Sequence, residues 1–196
     1  MKYLFGIVVV LSLGCKQNAK RVSNKQTDSV VSANNDTTLS SEYLDWYKVK
    51  LNGTIDMLSS FKTTSLILGK PDSIVTPNYE DIAVSYFNGE KFKYVYYKGL
   101  QFEVVKDSLV FREADFSKDT ALYFTSDKIR LSRHTKFDDL KRLFPKAASR
   151  VPSDEGKLKY ILMDVDVAKL SMEDKWMFWF SSDGNELLKI EYFIPD

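Results

Sequence analysis

From residue 42 onward, apolar positions recur in short alternating runs separated by turn residues, the pattern of half-buried strands. In the first half the runs predict strands at 82–87, 92–97, 100–106 and 109–114, with turns at Asn88-Gly89, Lys98-Gly99 and Asp107-Ser108. In the second half they predict strands at 158–165, 175–180 and 187–194, with a turn at Asp183-Gly184. Connections this short make each set an antiparallel meander, because parallel neighbours need crossovers of about a dozen residues. A helix precedes each meander. Thr63-Thr64-Ser65 opens the first through Leu68, and Gly69 and Pro71 end it. Thr135 as N-cap and Asp138 three residues on open the second, which carries the stripe Phe137, Leu140, Leu143 and Phe144 and stops at Pro145. Residues 42–51 read as a short helix or strand that packs Tyr43, Leu44, Trp46 and Tyr47 onto the body.

Register follows from the turns. A two-residue turn at Lys98-Gly99 sets Tyr97 against Leu100, Val95 against Phe102 and Lys93 against Val104, and a loop over 88–91 sets Val84 against Val95. One face then carries Ile82, Val84, Tyr86, Val95, Tyr97, Leu100, Phe102, Val104 and Phe111, the core face that the helix covers. The other carries Phe87, Phe92, Tyr94, Tyr96, Gln101 and Glu103, with Arg112 directly across from Glu103 as an ion pair. Around Asp183-Gly184 the same reasoning puts Met177 and Trp179 with Leu188, Ile190 and Tyr192 on one side. Trp176, Phe178 and Phe180 then share the other with Leu187, Lys189, Glu191 and Phe193.

One constant offset aligns Ile55 with Ile129, Lys62 with Lys136, Leu66 with Leu140, Pro71 with Pro145 and Tyr86 with Tyr160. With the same order of elements in each half, this predicts an α+β fold of two related units, 42–120 and 121–196, each a short helix on an antiparallel meander.

The segment before residue 42 has a different character. Lys2 precedes an apolar run from Leu4 to Leu13, too short to span a bilayer and matched to the core of a secretory signal over 1–14. The run ends in Ser12-Leu13-Gly14-Cys15, which resembles the lipobox of bacterial lipoproteins with its first two positions exchanged. The resemblance implies lipidation of Cys15 and attachment of the chain to a membrane. Two or more acyl chains hold a protein there stably where one is marginal. An ordinary signal peptide followed by a stray cysteine is the alternative. Residues 15–41 hold Lys16, Lys20, Arg21 and Lys25 among Ser, Thr, Asn and Gln, with no aromatic residue, and so predict a disordered tether of about 28 Å r.m.s.. By the familiar sorting rule, Lys16 rather than Asp after the cysteine favours the outer membrane, with the folded part in the periplasm or at the cell surface.

Composition removes several classes of function. Lysine plus arginine number 28 against 27 acidic residues, so no basic stripe speaks for nucleic acid. One cysteine and one histidine exclude a disulfide framework and Cys- or His-rich metal sites. No phosphate loop, G-x-S-x-G elbow or H-E-x-x-H occurs. His134 reads as a surface residue at a helix start, and Glu173 and Asp174 as loop charges. The expectation is a non-enzymatic protein with no cofactor and no metal.

Leu68-Gly69-Lys70-Pro71-Asp72-Ser73 after a short helix, followed by Val84-Ser85-Tyr86, resembles the small SmpA/OmlA-type envelope lipoproteins and the tandem-repeat β-lactamase-inhibitor-protein fold. The resemblance covers 54–115, with a fainter copy at 128–194, and implies protein contact rather than catalysis. Aromatic content is 14%, and rings mixed with charge are the composition of binding hot spots. The candidate binding face is Phe92, Tyr94, Tyr96, Glu103, Arg112, Trp176 and Phe178. The bland alternative is that other parts of the chain cover these rings. Three functions follow: a membrane-anchored scaffold that binds a protein partner, an inhibitor or immunity protein against a periplasmic hydrolase, and a glycan-binding envelope protein.

Overall fold

The computed structural model describes residues 42–82, 84–149, 159–165 and 173–195. The signal, Cys15 and the tether lie outside them.

In chain order the elements are β1 (Lys50–Leu51), β2 (Ile55–Asp56), β3 (Leu58–Ser60), α1 (Phe61–Leu68), β4 (Ser73–Val75), a 3-10 turn (Tyr79–Asp81), β5 (Lys93–Tyr97), β6 (Leu100–Val105) and β7 (Ser108–Asp115). Then come β8 (Tyr123–Thr125), β9 (Arg130–Ser132), α2 (Phe137–Leu143), α3 (Pro145–Ser149), β10 (Lys159–Asp164), β11 (Lys175–Phe180) and β12 (Leu187–Phe193). The fold is a mixed α+β structure of two antiparallel sheets with a few short helices. An eight-stranded sheet runs β10-β11-β12-β7-β6-β5-β4, with β3 also paired to β7; a four-stranded sheet runs β2-β1-β8-β9. The two meanders join through β7 and β12 in one sheet.

The small sheet, not a helix alone, closes the core over the first meander. Its Phe124 meets Phe111 of β7 edge-on, with ring centroids 5.3 Å apart, and Leu51, Ile55 and Leu131 join the same cluster. Over the second meander lies the segment ahead of β1. Trp46 packs against Trp176 and Tyr192 at 5.0 and 4.1 Å, and the Trp176 indole N–H donates to the Leu44 carbonyl at 2.8 Å. Leu140, Phe144, Ala147 and Ala148 from α2 and α3 complete the core. Tyr47, expected to pack inward, is exposed.

The Lys98-Gly99 turn forms with the expected register: Tyr97 faces Leu100, Val95 faces Phe102 and Lys93 faces Val104. Gly99 sits at φ +71°, and a Cβ there would stand 2.7 Å from the Asp115 carbonyl oxygen, so only glycine fits.

Four expectations need correction. Residues 82 and 84–87 are not a strand; β4 takes the place beside β5, with Ile74 rather than Val84 opposite Val95. The next turn falls at Lys106-Asp107, with Val105 facing Ser108, so Glu103 faces Val110. A bulge opposite Gln101 and Phe102 then makes Arg112 the extra residue. Around Gly184 the connection runs from Ser181 to Glu186, and a bulge beside Trp179 and Phe180 shifts β12 by one residue against β11, so that Trp176 and Phe178 share a face with Tyr192 and Ile190 rather than with Glu191 and Lys189. Finally, Lys136 rather than Thr135 is the N-cap of α2, where the Asp139 carboxylate accepts the Lys136 N–H at 3.2 Å; α2 stops ahead of Pro145 as expected, and Pro145 opens the short α3.

Candidate functional site

This shift decides where the candidate binding residues of β11 lie. Phe178 faces Ile190 and Trp176 faces Tyr192, and all four point into the core. Trp176 and Phe178 are completely buried, so they are core residues and not an exposed binding face. A one-residue slip sends every side chain of a strand to the other face, and the bulge supplies that slip. Phe92 is also buried, held edge-on between Tyr79 and Tyr94 at 5.9 and 5.2 Å. Tyr94 and Tyr96 remain half-exposed on β5, with centroids 6.2 Å apart.

Glu103 and Arg112 do meet, though diagonally. Arg112 Nε stands 3.4 Å from Glu103 Oε1, and the Glu103 side chain has no exposed surface. The loop that was expected to be a strand crosses above them. Ser85 Oγ donates to Glu103 Oε2 at 2.8 Å, the Tyr86 N–H donates to the same oxygen at 3.2 Å, and the Phe87 N–H donates to Ser85 Oγ. A carboxylate under the loop thus gives the backbone there a partner other than a strand. Burial pushes the Glu103 carboxyl above the usual glutamate range, while Arg112, Ser85 and Tyr86 pull the other way. Arg112 Nη1 has no hydrogen-bond partner among the described residues, and its guanidinium lies 5.7 Å from the Tyr192 ring centre.

Beside this pair an open cleft of about 1030 Å³ is lined by the 79–92 loop and by Asp174, Tyr192, Ile194 and Pro195. Tyr192 OH donates to Asp174 Oδ2 at 2.7 Å, whereas Asp174 Oδ1 is buried with no hydrogen-bond partner among the described residues. Burial, followed by the hydrogen bond and charge of Asp174, raises the Tyr192 phenol far above its ordinary value. Burial, Tyr47 and Asp174 raise that of Tyr86. Neither Asp174 nor Tyr192 stood out in the sequence, because no spacing rule links a loop carboxylate to a strand tyrosine across a bulged ladder.

A second feature is the edge strand β4. It ends the large sheet, and its outer side carries no strand among the described residues. Ile74 and Val75 are 48% and 46% exposed, and on nearby α1 Leu66 and Ile67 are exposed as well. At the opposite end of the sheet, by contrast, the Leu44 N–H caps the edge by donating to the Asp164 carbonyl at 3.1 Å. The β-branched pair Ile74-Val75 after Pro71-Asp72 is the sequence signal for this strand.

Comparison with family models, curated proteins and solved structures returned no match.

Proposed function

We propose that this chain is a lipoprotein of the bacterial cell envelope, held at a membrane through Cys15, that binds another protein rather than catalysing a reaction. The outer membrane is favoured, with the folded part in the periplasm or at the cell surface. The observation that carries the binding reading is the open apolar edge of β4. Proteins generally blunt such edges with charge, proline or cover, since an open edge templates pairing with another chain. Here the edge joins two exposed aliphatic side chains to the half-exposed rings of Tyr94 and Tyr96, which pair with Val75 and Ser73. An extended segment of a partner fits that edge by strand addition.

A net gain of about 1 kcal/mol per backbone hydrogen bond over so short a strand is modest, so most of the affinity falls to Ile74 and Val75. Within this reading the resemblance to two-unit envelope and inhibitor folds is retained. The strand order β10-β11-β12-β7-β6-β5, which joins last strand to last strand, supports an internal duplication.

Two substitutions test the proposal. Cys15→Ser is expected to release the protein from membranes, and mass spectrometry of the mature N-terminus is expected to find acyl chains on Cys15; an unacylated terminus overturns the anchor. Ile74→Lys is expected to leave the melting transition unchanged and to lower recovery of the partner by at least about tenfold. Undiminished recovery overturns the edge reading.

A further inference from the structure

Helix α1 reverses the usual arrangement of polar and apolar sides in its last turn. Phe61, Thr64, Ser65 and Leu68 form the stripe that faces the sheet, at the spacing of one helix face. Thr64 is fully buried, with its hydroxyl 2.9 Å from that of Ser59, and the Ser65 hydroxyl lies 2.9 Å from that of Tyr97. The opposite stripe is Lys62, Thr63, Leu66 and Ile67. Leu66 and Ile67 are 79% and 48% exposed, so hydroxyls take the covered side while an aliphatic pair stands in solvent. An apolar pair placed against the pattern of a surface helix marks a contact with something apolar.

The charges around the pair fit an anionic bilayer. α1 carries Lys62 and no acidic residue; Lys70 follows it, Lys98 adjoins Tyr97, and Lys106 precedes Asp107 at its start, and all four lysines are exposed. Against them stand Asp72 and Asp107. The Asp107 carboxylate is already engaged, accepting from the Ser60 hydroxyl at 2.7 Å and the Lys62 N–H at 3.0 Å. Lysine is depleted from protein–protein interfaces, whereas aliphatic surface rimmed by lysine is what an interfacial helix presents to lipid. Lysine stems extend over the apolar region while their ammonium groups meet the phosphates.

We propose that Leu66 and Ile67, rimmed by Lys62 and Lys70, dip into the headgroup region of the membrane that holds the chain, a contact that rests on the anchor at Cys15. The expected tether of about 28 Å r.m.s. keeps α1 near that surface. Tethering supplies an effective concentration on the order of a millimolar, so a pair of side chains too weak to bind alone suffices.

The test uses the acylated full chain reconstituted in vesicles of phosphatidylethanolamine and phosphatidylglycerol. Cys15 carries the acyl chains, so a nitroxide on Leu66→Cys, or on the control Glu90→Cys in the loop above Glu103, labels a single thiol. Collision rates with oxygen and with a water-soluble nickel chelate are expected to place position 66 about 5–10 Å deep in the headgroup region and position 90 in water. Lys62→Glu with Lys70→Glu, or exchange of phosphatidylglycerol for phosphatidylcholine, is expected to return position 66 to water. Shielding of position 66 that is independent of lipid charge overturns the proposal, as does shielding with spin–spin broadening, the mark of a second copy on this face. Loss of the protein from washed vesicles overturns the anchor and the contact together. Retention with position 66 as open to the nickel chelate as position 90 overturns the contact alone.

Discussion

Replacing Arg112 by methionine keeps most of the side-chain volume and removes the one charge partner of Glu103 among the described residues. The Glu103 side chain has no exposed surface and that of Arg112 is 19% exposed, so solvent screens the pair weakly. Removing one member of such a pair strands a buried charge and costs about 3–5 kcal/mol. Against a total stability of roughly 5–15 kcal/mol for a domain, the loss is large.

The pH dependence has a definite sign. Burial raises the folded-state pKa of Glu103 above the ordinary glutamate range, so the native state binds the proton more tightly than the unfolded chain does. Its contribution therefore improves as pH falls through the raised value and is worst above it. Loss of the Arg112 charge raises the folded-state value further, because Arg112 pulls it down. The deficit of Arg112→Met is thus largest near about pH 8 and shrinks toward about pH 5, by at most about 1.4 kcal/mol per pH unit. Urea unfolding followed by the fluorescence of buried Trp46 and Trp176 measures it at both pH values. The double variant Glu103→Gln with Arg112→Met is expected to recover most of the loss, since no charge is then stranded. A deficit below about 1 kcal/mol at pH 8, or one independent of pH, refutes the buried pair.

Other substitutions test the packing and the turn. Trp176→Ala is expected to lower stability by about 3–5 kcal/mol in urea unfolding, as a core ring and not a surface contact. Gly99→Ala is expected to destabilise by more than about 1 kcal/mol, from its positive φ and the clash with the Asp115 carbonyl, read as a lower melting temperature. Tyr192→Phe is expected to cost about 1–3 kcal/mol, because it takes from buried Asp174 the hydrogen bond that its Oδ2 accepts.

Local signals carried part of this fold and failed at identifiable points. The Lys98-Gly99 turn, with its glycine at positive φ, pinned β5 to β6 without error. Strands β10, β11 and β12 lie almost where their alternation puts them. Faces were lost where the ladder bulges, because alternation continues through a bulge while orientation does not. That is why Trp176 and Phe178 were read as surface, and why Arg112 was set opposite Glu103 instead of diagonal to it. Residues 82–87 alternate like a strand, yet buried Glu103 competes for the backbone N–H of Tyr86 and draws the segment over the sheet. Of the candidate binding face, Tyr94 and Tyr96 are half-exposed, while Phe92, Glu103, Trp176 and Phe178 are buried. The cleft was invisible because Asp174 and Tyr192 come together only through long-range pairing.

Site-specific photocrosslinking in cells tests the central claim, that β4 receives a partner, most directly. A photoreactive residue in place of Val75 on the exposed edge is expected to capture one protein, through a single extended segment mapped by mass spectrometry. The same group in place of exposed Lys118, which lies outside the strands, is expected to capture none of it. No product from Val75, or the same product from both positions, contradicts the claim.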